Sequence, residues 1–238
     1  MTRTDPAPAH LVLSRHGQTV WHAENRYAGT SDVDLTEVGL AQAEALARWA
    51  TGADLRAMYC SPVRRARLTA EPVATALGRP AVVVDELAEV HFGMAEGLTI
   101  AEVREQDPQV AAAFLADPVR HPFPGAEPVE GAAVRGATAL RRIAAAHPGE
   151  RVLVVAHNTL LRLSLCVLLG IPLAHYRRVL PRLDNGTLTD IQLTGGDGDL
   201  AALRSFNVPL EVPVPVRSGA VADRHPSLSV SLDGGTPS

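Results

Sequence analysis

The sequence predicts an α/β protein: a three-layer α/β/α sandwich with a mostly parallel central sheet and an antiparallel hairpin at its edge. Three observations carry that expectation. Short apolar runs alternate with amphipathic helical stretches, the order that parallel strands joined by crossover helices produce. Two of the runs, residues 11–14 and 152–156, are apolar without alternation, as strands covered on both faces are. Finally, runs 187–193 and 200–206 flank Gly195-Gly196-Asp197-Gly198-Asp199, a turn composition that folds a chain back on itself.

Taken in order, Leu11-Val12-Leu13-Ser14 is the first strand, broken by Arg15-His16-Gly17. Residues 21–34, rich in Asn, Gly, Asp and Ser and without periodicity, form a loop over the end of that strand. Thr36 caps a helix with Glu37 in its first turn and Leu40, Ala43, Leu46, Ala47 and Ala50 along one face; Thr51-Gly52 ends it. Residues 57–60 are a second strand, and Ser61-Pro62 reads as a cap-plus-first-turn pair opening a helix that runs to Leu77. The β-branched run 81–84 is a third strand, followed by a loop, 85–97, that carries Glu86, Glu89, His91 and Glu96. Helices at 99–106 and 109–115, a Pro-rich segment 117–128 and a helix 129–146 lead to a fourth strand, 151–156, which ends in His157-Asn158. A helix over 159–169 follows, then less regular helical turns over 172–182 and the hairpin.

The 238 residues suffice for one domain with a substantial core, assigned to 10–207, between a flexible N-terminus (1–9) and a Pro/Ser/Gly-rich extension (208–238). A net charge of −4 leaves no basic surplus to hold nucleic acid. Residues 1–9 contain no apolar signal region, and the longest apolar helical stretch, 160–171, is interrupted by Arg162 and too short to span a bilayer. A cytoplasmic protein without membrane contact is therefore expected. Cys60 and Cys166 are too few for a disulfide framework and read as small buried hydrophobes. An edge strand or the C-terminal extension offers a surface for a homodimer.

Strands one and four share a design, each a buried run ending in His. Right-handed crossovers put the carboxyl ends of parallel strands on one edge of the sheet, where open α/β sheets bind ligands, so His16 and His157 are expected to face one pocket. The second strand delivers Ser61 and an Arg-bearing helix start to that edge, and the third delivers Glu89. Arg15 beside His16 disfavours the cationic imidazole and leaves it nucleophilic, while the guanidinium offers a planar fork to a phosphate. A nucleophile next to an anion clamp points to phosphoryl transfer to nitrogen.

These residues also carry a resemblance. Leu13-Ser14-Arg15-His16-Gly17-Gln18-Thr19, then Arg26-Tyr27-Ala28-Gly29, Asp32, Leu35-Thr36, Gly39 and Gln42-Ala43, resemble the opening signature of the histidine phosphatase superfamily, the phosphoglycerate mutase-like enzymes. Ser61-Pro62-Val63-Arg64-Arg65-Ala66 with Thr69-Ala70 resembles its second motif. Leu87-x-Glu89 with Gly93 and Glu96-Gly97-Leu98-Thr99 resembles the third, and Val154-Val155-Ala156-His157 the fourth. The resemblance spans residues 11–193 with the motifs in the family's order. It implies a phosphoglycerate mutase-like fold, His16 as the nucleophile that becomes phosphohistidine, and Arg15, Arg65 and His157 as the phosphate pocket. Glu89 is implied as the acid that protonates the leaving alcohol and then the base for water. Among the neighbouring arginines the family pattern selects Arg65, directly before Ala66; Arg64 is read as a rim residue and Arg67 as solvated.

Two departures from the family pattern bear on the substrate. His22 stands where the family commonly has Asn, with Asn25 three residues further on, and Asn158 stands where it has Gly. His22, Asn25 and Asn158 are therefore expected to bind substrate at the pocket rim, with part of 115–131 and with His91, itself read as an exposed histidine. The compact segment between Glu89 and His157, and Phe92-Gly93 in place of a Tyr-Gly sequence, look like the phosphatase branch rather than the mutases. The expected activity is metal-independent hydrolysis of a small phosphomonoester, a sugar phosphate or phosphoglycerate-like compound. Phosphoglycerate mutase and a catalytically weak regulatory or binding member are the alternatives. No cofactor is expected: a metal site from His16, His22, His157 and Glu89 lacks ligand spacing, and two guanidiniums would repel a divalent cation.

Overall fold

The computed structural model describes residues 7–196 and 199–211. Its strands are β1 Ala9–Arg15, β2 Ala57–Cys60, β3 Val82–Val83, β4 Arg151–Ala156, β5 Leu188–Leu193 and β6 Ala202–Val208. They form one sheet in the order β3-β2-β4-β1-β5-β6. The first four are parallel; β5 pairs antiparallel with β1, and β6 with β5. The helices are α1 Glu37–Thr51, α2 Arg64–Leu77, α3 Ile100–Gln106, α4 Pro108–Ala116, α5 Val129–Ala146, α6 Asn158–Leu168 and the short α7 Tyr176–Val179.

The unalternating strands are explained by cover on both faces. Leu11, Leu13, Val152 and Val154 pack with residues of α5 and α6, whereas Val12, Leu153 and Val155 pack with residues of α1 and α2. Each such side chain removed from water contributes about 1.5–3 kcal/mol, so the middle strands anchor everything borne on their ends. A smaller core of Ala95, Val103, Ala111, Phe114 and Phe123 joins α3 and α4 to the segment after β3.

Several local expectations need correction. Ser61-Pro62 does not open α2: the helix starts at Arg64 with Val63 in the capping position, because the Ser61 hydroxyl is engaged by His157 and by the Val63 N–H. The third strand keeps only Val82 and Val83, about half exposed at 49% and 47%, since it lies at the sheet edge with β2 as its one neighbour. The N-terminal segment assigned as flexible, 1–9, is too long: Ala9 is fully buried, pairs with Leu193 and belongs to β1. At the other end β6 continues to Val208, and Leu210 packs against the core beneath α1 and α2. The remaining extension, 212–238, residues 1–6 and two residues of the hairpin turn, Asp197 and Gly198, lie outside the described residues.

The start of α1 is pressed against the loop that carries His16. A Cβ on Gly39 would lie 2.1 Å from the Gln18 carbonyl oxygen, and one on Gly17 would lie 2.5 Å from the Gly39 oxygen. Thr36 caps the helix through the Gly39 N–H and donates to Gln18 Oε1 at 2.8 Å. Gly39→Ala is therefore expected to lower the unfolding free energy by about 1–3 kcal/mol through overpacking, read as a shifted urea midpoint. An unchanged midpoint would show that the contact is loose.

Candidate active site

The sheet places the chemistry by register. Arg15 of β1 pairs with Ala156 of β4, so the residues that follow, His16 and His157, emerge side by side with ring centroids 5.2 Å apart. Ser61 follows β2 and reaches His157 Nε2 at 2.6 Å. The chain leaving β3 returns Glu89 to the same edge.

Arg65, in the first turn of α2 and 1% exposed, spans the two imidazoles. Its Nε donates to His16 Nε2 at 3.1 Å and one terminal nitrogen to His157 Nδ1 at 3.2 Å. That same nitrogen also donates to the carbonyls of Ala28 and Gly29, and the other terminal nitrogen donates to Ser31 O. A guanidinium can only donate, so both ring atoms it faces are acceptors. His16 accordingly carries its proton on Nδ1, which gives it to Gly17 O at 2.8 Å and leaves the Nε2 lone pair in the cavity. His157 carries its proton on Nε2 and gives it to Ser61. Burial, and then the neighbouring cations, hold both rings well below the ordinary histidine value, so both are neutral without a ligand.

Arg15 donates to Leu183 O at 2.7 Å and to His22 Nε2 at 2.6 Å, while its buried Nε has no partner among the described residues. Burial lowers this guanidinium to about 10, which leaves it charged at neutral pH. Glu89, 6% exposed, accepts from the backbone N–H groups of Val90, Thr159 and Leu160. Two of those belong to the first turn of α6, where a carboxylate is favoured. Burial nevertheless dominates and raises its pKa.

Arg15, His16, Arg65 and Glu89 line one cavity of about 230 Å³, whose lining also includes the rings of Tyr27, Phe92, Phe114, Phe123 and Tyr176. His157 lies against His16 and Arg65 behind that lining. His22, half-buried, lines the same cavity 5.9 Å from His16, its pKa pushed down to about 4 by burial and by Arg15. Asn25 and Asn158 line the cavity, and Asn158 Oδ1 accepts from Leu183 N. Pro118, Pro122, Phe123, Ala126 and Glu127 supply the expected contribution of segment 115–131. His91 turns outward, where its Nδ1 accepts from Gly93 N, and Arg64 leaves the site for an ion pair with Asp34. Sequence reasoning missed Arg162, Tyr176, Arg177 and Asn185. The last donates to His16 O at 2.8 Å. Arg162 had a signal, as the sole charge in an otherwise apolar helix. Among the described residues no group of three His, Cys, Asp or Glu is placed to hold a metal, and no helix is long and apolar enough to cross a membrane.

Buried guanidiniums that meet only neutral acceptors need an anion from outside, which makes this an α/β enzyme that handles anionic substrates. The profile of the histidine phosphatase superfamily (branch 1) matches residues 11–205, and the chain belongs to that superfamily as one of its phosphatases. It is 32% identical to phosphoserine phosphatase 1 of Hydrogenobacter thermophilus over 166 residues, covering 70% of this chain and 79% of that one. With the metal-independent phosphoserine phosphatase of Arabidopsis thaliana it shares 40% over 156 residues, 64% of this chain and 65% of the other. The structure of a mycobacterial glucosyl-3-phosphoglycerate phosphatase superposes with a TM-score of 0.75 at 27% identity, over 85% of this chain and all of that one.

The depressed imidazoles link stability to pH. Below the unfolded value of about 6.5 the unfolded chain takes up protons that folded His16 and His157 refuse, so stability falls as pH drops. Each imidazole contributes about 1.4 kcal/mol per pH unit below that point, and Glu89, shifted upward, opposes with one proton of the other sign. Urea unfolding between pH 7.5 and 5.5 (about one unit either side of a free imidazole) is expected to show this loss. Saturating inorganic phosphate should flatten it by favouring protonated His157.

Proposed function

We propose that the protein hydrolyses a small phosphomonoester through a phosphohistidine on His16, without a metal ion. The observation that carries this reading is the Nε2 lone pair of His16, kept free of its proton by Gly17 O and facing a set of cations that lack a carboxylate partner. The phosphoryl group of the substrate docks among Arg15, Arg65 and His157, with His22, Asn25 and Asn158 lining the space around it. It displaces the Arg65 Nε–H from His16, so the guanidinium turns its donor to a phosphoryl oxygen. His157 Nδ1, which faces the same guanidinium, gains a proton once the anion is present and donates it to the phosphate; Ser61 holds the opposite ring nitrogen.

His16 Nε2 then attacks phosphorus in line, the N–P bond forms and the ester P–O bond breaks. Glu89 transfers its proton to the departing alkoxide. In the second half Glu89, now a carboxylate, takes a proton from water as the water oxygen attacks phosphorus, and His16 leaves as the neutral Nδ1–H ring. Fixed cations stabilise the charge spread over the equatorial oxygens in both halves. The phosphatase names of the relatives support a small phosphorylated metabolite as substrate, two of them naming phosphoserine and one glucosyl-3-phosphoglycerate.

Incubation with a radiolabelled phosphoester in the presence of a chelator is expected to label the protein in an acid-labile form, and His16→Ala to abolish the label and the release of phosphate. A label that survives acid, or activity restored only by a divalent ion, would overturn the reading. Interconversion of phosphoglycerates faster than phosphate release would make the enzyme a mutase.

Glu89→Gln separates the acid from the rest of the site. An alkyl phosphate, whose alkoxide must be protonated as it leaves, is expected to lose about 10²–10⁴-fold in rate, the usual range for general acid catalysis. p-Nitrophenyl phosphate, with a stable leaving anion, should lose far less in the bond-breaking step read by the nitrophenolate burst. Equal losses on both esters would remove Glu89 from the acid role.

A further inference from the structure

Resting on the hydrolase reading above, we propose that Arg162 is a specificity residue that binds a second anionic group of the substrate, a carboxylate or a second phosphate, on the leaving-group side of the phosphoryl site.

Arg162 is 6% exposed and belongs to the cavity wall. Within α6 it lies three and four residues after Thr159 and Asn158, which also line the cavity, so the three share one face of the helix. The backbone of that first turn holds Glu89, the proposed proton donor to the departing oxygen, and the body of the leaving group therefore lies toward Arg162. The guanidinium is fixed from two sides: Nε donates to Leu180 O, and the group lies 4.8 Å from the centre of the Tyr176 ring. Its two terminal nitrogens have no hydrogen-bond partner among the described residues, and no ion pair there includes it.

The local carboxylates are already committed. Glu89 is held by three backbone N–H groups, and Glu127 forms an ion pair with Arg135 at 2.8 Å. A phosphoester dianion is matched by Arg15, Arg65 and His157 and leaves Arg162 without a counter-charge. Burying a guanidinium is costly unless an anion meets it, and its planar fork fits a carboxylate or phosphate with two parallel bonds. A substrate with a single phosphate and a neutral body would leave those donors desolvated and idle.

The test compares esters that differ only in the second anion: O-phosphoserine against O-phosphoethanolamine for a carboxylate, and propane-1,3-diol bisphosphate against its monophosphate for a phosphate. The wild-type enzyme is expected to prefer the doubly anionic member of one pair by about 10–100-fold in kcat/KM, the size of a charge-assisted bond lost. The pair that shows the preference identifies the anion. Arg162→Met should bring that ratio near one, with the loss concentrated on the doubly anionic ester, and Arg162→Lys should keep part of it. Equal treatment of both members by the wild-type enzyme would overturn the proposal. So would an Arg162→Met effect that falls equally on both, because that is what a purely structural role produces. Should Arg162→Met fail to fold by circular dichroism, the wild-type and Arg162→Lys ratios decide. Calorimetric binding of the same esters to His16→Ala reads the preference without chemistry, so the second-anion site stands or falls separately from the phosphohistidine.

Discussion

The burial of Arg65 without a carboxylate partner is the constraint on which the rest of the site depends. A guanidinium taken out of water is tolerated only if its donors are met. Here the acceptors are three carbonyls of the loop over β1 and the two imidazoles. Those acceptors satisfy hydrogen bonds but leave the charge in place. Glu96 sits behind the arrangement, accepting from Gly29 N, Ser31 Oγ and Phe92 N, and so fixes the loop whose carbonyls Arg65 needs. A carboxylate placed on Arg65 itself would fill the site proposed for the phosphoryl group.

The same guanidinium decides the protonation pattern of the two histidines. Because it faces a ring nitrogen of each, it makes one atom of His16 and one of His157 an acceptor, and Gly17 O and Ser61 Oγ receive the protons on the far sides. Both rings are then neutral and poised differently. In the proposed reaction one would present a lone pair to phosphorus, and the other would need one more proton, favoured by the field of the phosphate, before it could donate to a phosphoryl oxygen. Arg15 extends this logic to His22, which accepts from it where an ordinary asparagine side chain would be shorter.

What could be read from the sequence follows from how local each signal is. The strand ends bearing His16 and His157 were legible because unalternating apolar runs mark covered strands, and parallel connection brings their carboxyl ends to one edge. Ser61 was misread because a hydroxyl before a helix ordinarily caps it; its partner, His157, is distant in the chain and outcompetes the cap. The aromatic wall was invisible for a similar reason: Tyr27, Phe92, Phe114 and Phe123 come from separate segments with no shared period and meet only through the small core beneath α3 and α4. Arg162 registered only as the residue that broke an apolar helix. The sequence gives no direction to the side chain, and the contacts with Leu180 O and the Tyr176 ring place it in the cavity wall.

Glu89 is subject to two opposing local forces. The start of α6 stabilises its carboxylate through backbone donors, while burial in a cavity walled by aromatic rings disfavours the charge, and burial is the larger effect. Neither force alone would suit the role proposed for Glu89, which gives a proton in one half of the reaction and accepts one in the next. Oε1 receives two of the backbone bonds and Oε2 one, so Oε2 keeps the larger capacity for a proton. In the proposed reaction an incoming phosphate dianion would raise its affinity for that proton further, and departure of the alcohol would leave a carboxylate already held by α6. On that proposal the helix terminus would hold the carboxylate left by the acid step in place for the base step.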